Sequence, residues 1–111
     1  MGTRVSDVRP IVGLIGLGNL GRPMALSLLE SGYDLVVNSL NKSESDDLVK
    51  RGATWADDAE EVAIRVDVLI TVLPGPAQVR DIMIGSGGAL SQMKSGSTFI
   101  DMSTSTVVVA D

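Results

Sequence analysis

The chain has 111 residues, a formal net charge of −5, 44% hydrophobic residues, no cysteine and no histidine. That length supports one domain with its own core, and the aliphatic composition excludes intrinsic disorder. The missing residue types exclude a disulfide framework, a thiolate nucleophile, a Cys/His metal site and a histidine general acid or base. The acidic balance, with Lys and Arg scattered singly or in pairs, argues against nucleic acid or an anionic membrane as partner.

Residues 1–9 are polar and read as a flexible segment ahead of a single domain, 10–111. They contain no signal-peptide core, and the strongest apolar run, 66–73, is broken by Asp67 and too short to span a bilayer, so a cytoplasmic setting is expected. The apolar stretch 10–16 predicts a buried parallel strand. Residues 20–31 predict a helix with Leu20, Met24 and Leu28, then Ala25 and Leu29, on one face, ended by Gly32 at the left-handed C′ position. Residues 34–39 form the next strand. Ser43 with Asp46 reads as a capping pair opening a helix to Arg51, residues 53–56 as a short third strand, and Asp57 with Glu60 as a second capping pair opening a helix to Arg65.

The run 67–73 is a strand stopped by Pro74-Gly75-Pro76, and Pro76 opens a helix to Ile84. A loop, 85–88, leads to a helical turn, 89–93, and a strand, 97–102; residues 103–111 form a loop and the start of another element. Strands alternating with helices over short connections predict an α/β domain of the Rossmann type, a doubly wound parallel sheet with helices on both faces. Met24, Trp55 and Met83 are packing residues in this reading, and Lys42, Lys50 and Lys94 face solvent.

Gly16-Leu17-Gly18-Asn19-Leu20-Gly21 directly follows a strand and directly opens a helix. In that context G-x-G-x-x-G is a dinucleotide site: the first glycine makes the tight turn, the second admits the pyrophosphate to the backbone, and the third lets helix and strand pack closely. The helix N-terminus offers N–H groups and a positive dipole end to the phosphates, and Arg22 can add a charge. The end of the second strand reads the adenosine ribose, where an acid binds the 2′-hydroxyl of NAD. Asn38, Ser39, Leu40, Asn41 and Lys42 stand there, with no acid among them. Ser39, Asn41 and Lys42 can hold a 2′-phosphate, so NADP is favoured over NAD, beside the alternative of a solvated, unselective loop.

Three segments in order carry a resemblance: residues 13–24 around the glycine loop, Val72-Leu73-Pro74 with Val79, and Asp101-Met102-Ser103-Thr104. On these the chain resembles the N-terminal domain of the β-hydroxyacid dehydrogenases, which include 3-hydroxyisobutyrate and 6-phosphogluconate dehydrogenases. The resemblance implies that Gly16, Leu17, Gly18, Asn19, Leu20 and Gly21 contact the pyrophosphate. It puts Leu73 and Pro74 beside the cofactor, Val79 on the adenine side, Thr104 near the nicotinamide and Ser103 on the substrate carboxylate. Ser103 and Thr104 also suit a turn or helix cap, and Leu73-Pro74 a strand stop. Asp101 is a residue that pins its loop through backbone hydrogen bonds. The sequence departs from the family at Leu20, where Met is usual, at Ser39-Leu40-Asn41, which lacks the arginine that reads a 2′-phosphate, and at Val107, where proline is common.

The resemblance further implies hydride transfer between a nicotinamide and a 3-hydroxyacid or its semialdehyde. The catalytic lysine and the homo-oligomer interface lie in a second, helical domain that these residues do not contain. The chain therefore reads as a piece of a longer protein, binding cofactor without catalytic residues or metal of its own. The alternative is a non-catalytic dinucleotide-binding or interaction module.

Overall fold

The computed structural model describes residues 9–73, 80, 81, 83, 84 and 88–102, and the backbone of 106–109. The flexible segment expected over 1–9 lies outside the described residues except for Arg9, whose guanidinium stands 5.0 Å from the Tyr33 ring centre. Among the described residues no helix is long and apolar enough to cross a membrane.

The chain runs through β1 (Val12–Ile15), α1 (Gly21–Glu30), β2 (Leu35–Asn38), a 3₁₀ turn (Lys42–Ser45), α2 (Asp46–Lys50), β3 (Thr54–Trp55), α3 (Ala59–Arg65), β4 (Val68–Thr71), α4 (Ala89–Gln92), β5 (Thr98–Asp101) and β6 (Thr106–Val109). Of the helix expected over 76–84, Arg80, Asp81, Met83 and Ile84 are described, and all four are helical. The strands form one sheet in the order β3-β2-β1-β4-β5-β6. β1 through β5 pair in parallel, Val12 lying opposite Leu35 of β2 on one side and Val68 of β4 on the other. β6, in the stretch read only as a loop and the start of another element, runs antiparallel to β5 at the edge of the parallel sheet. Residues 102–105 join the two, and so short a connection permits a hairpin but not a crossover.

Helix ends follow the glycines. Gly32, at φ +88°, ends α1: its N–H reaches the Leu29 carbonyl at 3.0 Å, and the Tyr33 N–H reaches that of Leu28 at 3.1 Å. Gly52 ends α2 the same way, with the Ala53 N–H on the Leu48 carbonyl. Both are Schellman closures.

Helix starts differ from expectation in two places. Asn41, not Ser43, opens the second helical stretch, the 3₁₀ turn, its Oδ1 accepting from the Ser43 N–H at 3.2 Å and the Ser43 hydroxyl at 2.7 Å. A short Asx side chain satisfies the first free N–H of such a turn. Asp58, one residue beyond Asp57, caps α3 by accepting the Glu61 N–H at 2.8 Å, and Glu61 accepts the Asp57 N–H at 3.2 Å. Both registers carry the same acid spacing. The one adopted buries Val62 and Ala63 completely and leaves Asp57 to accept the Trp55 indole N–H at 3.0 Å.

The core lies on both faces of the sheet. Val12, Leu14, Leu35, Val37 and Ile70 pack with Ala25 of α1 and Leu48 of α2. Ile15, Val36, Leu69 and Phe99 pack with Val62 and Ala63 of α3, Ala89 of α4 and Met83. β1 is buried on both faces, and Gly13 lets α3 approach it: a Cβ there would stand 2.5 Å from Val62 Cγ1 and 2.9 Å from Val66 Cγ1. At the opposite end of β1 from the glycine turn, Asp67 accepts the Ile11 N–H at 2.9 Å and Lys94 Nζ at 3.2 Å. The Ile11 N–H above all, and then Lys94, hold its carboxyl below its ordinary value of 3.8 against a smaller opposing effect of burial.

Gly13→Ala should therefore destabilise the domain by about 1–3 kcal/mol in urea unfolding, because buried valines must move aside for the added methyl. Asp67 gives a pH signature. Its carboxyl is lowered in the folded chain, so its contribution is complete above the unfolded value and is lost as pH falls through the lowered one. Asp67→Asn should accordingly be less stable than the parent near neutrality, and the gap should close on acidification in thermal unfolding followed from pH 7 to pH 2.

Candidate functional site

Strand order reverses between β1 and β4, whose connections leave to opposite sides, and a crevice opens outside their C-terminal ends. The backbone pairing continues past the strands and fixes its walls: the Gly16 N–H bonds the Asn38 carbonyl, the Val72 N–H the Ile15 carbonyl, and the Met102 N–H the Thr71 carbonyl, each at 2.9 Å. Beneath it the buried Asp101 accepts the Thr71 hydroxyl at 3.1 Å, tying β5 to β4.

The crevice holds a groove of about 560 Å³. Its lining brings together nearly all of the predicted site that the structure describes: Gly16, Leu17, Gly18, Asn19 and Leu20 on the floor, Asn38, Ser39 and Leu40 at one end, and Leu73 at the other. Pro74, Val79, Ser103 and Thr104 lie outside the described residues. Gly21 is the first residue of α1, buried beneath the turn.

The glycines divide by what makes them necessary. Gly16 has φ +104°, and a Cβ on it would stand 2.2 Å from the Val72 carbonyl oxygen. A Cβ on Gly21 would stand 2.0 Å from the Gly16 oxygen. Gly18 has neither constraint: its φ is not in the left-handed region, and a Cβ there meets nothing within 4 Å among the described residues. The α1 N-terminus beside it has no side-chain cap and no acid in its first turn. Its dipole end is thus not offset by a cap or an acid of its own first turn, which suits an anion.

The polar residues at the end of β2 are otherwise employed than the sequence suggested. Asn38 donates to the Ala56 carbonyl at 2.8 Å, and the Ser39 hydroxyl donates to Glu44. Asn41 caps the 3₁₀ turn. Lys42 is absent from the groove lining, and its ammonium lies 5.9 Å from the Trp55 ring centre. Arg22 is engaged away from the glycine turn, donating to the Glu44 carbonyl at 3.0 Å and to the Asp47 carboxylate.

Sequence reasoning missed Val72, Met102 and Glu44 in the lining. Residues 38–42 hold no acid, as read, but Glu44 just beyond that window is carried back to the strand end by the 3₁₀ turn. Asn41 followed three residues later by Glu44 is the signal that could have found it, since that spacing marks a helical start that folds the acid back.

Comparison with known proteins agrees with this geometry. The chain is 38% identical over 93 residues to the mitochondrial 3-hydroxyisobutyrate dehydrogenase of Mus musculus, covering 84% of this chain and 28% of that protein. Its fold superimposes on 3-hydroxyisobutyrate dehydrogenase from Mycobacterium tuberculosis, solved with L-serine, with a TM-score of 0.76 at 26% identity, covering 85% of this chain and 31% of that one. It superimposes on Psf3 in complex with NADP+ and 2-OPP with a TM-score of 0.77 at 30% identity, covering 83% and 33%. The chain spans about a third of the length of the curated relatives it matches. Residues 11–111 match the family described as the NAD binding domain of 6-phosphogluconate dehydrogenase, and the chain belongs to that family of NAD(P)-binding Rossmann domains.

Proposed function

We propose that this domain holds NAD or NADP across the C-terminal ends of β1, β2 and β4, as the cofactor-binding part of an oxidoreductase that acts on a 3-hydroxyacid or its semialdehyde. The observation that carries the reading is Gly18. Its backbone conformation does not require a glycine, and among the described residues nothing crowds the position. A phosphate that must approach the backbone does require one.

Gly16, Leu17, Gly18, Asn19, Leu20 and Gly21 hold the pyrophosphate in this reading, with the uncapped start of α1 as the positive end facing it. Val72, Leu73 and Met102 form an apolar wall that excludes water from the nicotinamide end. Pro74 and Val79 extend the cofactor's bed, and Ser103 and Thr104, which directly follow the β5 strand and Met102, orient the substrate carboxylate and the nicotinamide. When bound, the cofactor supplies the hydride donor or acceptor. The substrate's hydroxyl proton falls to a lysine of a second domain, outside these 111 residues. The names of the 3-hydroxyisobutyrate dehydrogenases among the relatives support the substrate class.

Calorimetric titration with NADH and NADPH tests the binding step. Gly18→Ala should leave urea stability within about 0.5 kcal/mol of the parent, as expected for an exposed, unstrained site. It should weaken binding at least about tenfold, by holding the pyrophosphate off the backbone. A parent chain that takes up neither cofactor sinks the proposal. The 111-residue chain should show no cofactor-dependent reduction of a semialdehyde by nicotinamide absorbance, whereas the protein completed by its second domain should oxidise a 3-hydroxyacid.

A further inference from the structure

Glu44 is the one charged side chain lining the groove among the described residues. It stands with Asn38, Ser39 and Leu40 at the end of β2, where a Rossmann domain receives the adenosine ribose. Its position is built. The Glu44 N–H bonds the Asn41 carbonyl at 3.0 Å, the buried Ser45 closes the turn by donating to the Lys42 carbonyl at 2.7 Å, and the Arg22 guanidinium holds the Glu44 carbonyl. The side chain is oriented as well, since the Ser39 hydroxyl donates to Oε1. Oε2 takes no hydrogen bond among the described residues.

The cations that would balance a phosphate there are committed elsewhere. Lys42 lies against Trp55, and Arg22 is bound to Asp47 and the Glu44 backbone. An exposed carboxylate beside a hydroxyl accepts a strong, charge-assisted hydrogen bond. Beside a doubly charged phosphate, with no cation between, it repels.

We infer that Glu44 reads the adenosine ribose, accepting its 2′-hydroxyl and excluding a 2′-phosphate, so that this domain selects NAD over NADP. The inference rests on the dinucleotide reading of the groove. It assigns to a turn beyond β2 the part that the strand end, which lacks both an acid and an arginine, does not supply. Ser39 is then a positioning residue, acting through the carboxylate it orients.

The test is titration of the 111-residue chain with NADH and NADPH, beside Glu44→Gln and Ser39→Ala, with circular dichroism to verify that each variant is folded. The parent should bind NADH about tenfold or more tighter than NADPH, the scale of one hydrogen bond to a charged group. Glu44→Gln should collapse that ratio, both by weakening NADH and by strengthening NADPH. Ser39→Ala should narrow the ratio less, because the carboxylate remains but is no longer held. A parent that binds NADPH as tightly as NADH overturns the inference. So does a folded Glu44→Gln variant with the parent's ratio. In either outcome cofactor still binds and the dinucleotide reading stands. Failure of the parent to bind either cofactor instead overturns that reading, and this inference with it.

Discussion

The structure turns on a close approach of backbones. The chain leaving β1 passes so near the chain leaving β4 that no side chain fits between Gly16 and the Val72 carbonyl, and α1 then starts so near the same turn that none fits between Gly21 and the Gly16 carbonyl. These two contacts set where α1 begins and where its N-terminal dipole end lies relative to the crevice. The groove forms because both strands stop at that point and their connections depart to opposite sides. Every residue on its floor inherits its place from this crossing.

Much of this was legible in the sequence. Periodicity and glycine placement located β1, α1 and β2, and Gly32 ended α1 as its position predicted, because a left-handed C′ glycine is a local requirement that tertiary contacts rarely override. The groove floor followed from the glycine spacing, since Gly16 and Gly21 answer to atoms a few residues away or directly across the crossing. The cap of α3 was misplaced by one residue for a different reason. Asp57 and Asp58 offer the same local chemistry, and the decision rests on which register puts Val62 and Ala63 against β1, a contact between residues far apart in the chain. β6 was missed because the direction of a final strand depends on the length of its connection and on the open edge beside β5.

The β2 end of the groove shows the limit most clearly. Ser39, Asn41 and Lys42 have the right chemistry for a phosphate when read as a string of side chains facing solvent. In the folded chain each has a nearer partner: a carboxylate, a backbone N–H and an indole ring. Polar residues near a strand end satisfy the turn that follows before they serve a ligand. Conversely, Glu44 lies outside the strand-end window and enters the groove only because the turn reverses. Arg22 shows the same displacement from the other wall, engaged by Asp47 where the sequence had it free for phosphate.

That engagement has a mechanical consequence. Arg22 belongs to the first turn of α1, the helix that follows the glycine turn, and its guanidinium grips the backbone and the acid of the segment closing the far wall. The arginine thus adds a side-chain tie between the start of α1 and the turn beyond β2 to the backbone pairing that fixes the walls. A longer insertion between β2 and α2 would do more than lengthen a loop: it would slip this brace at the β2 end of the crevice.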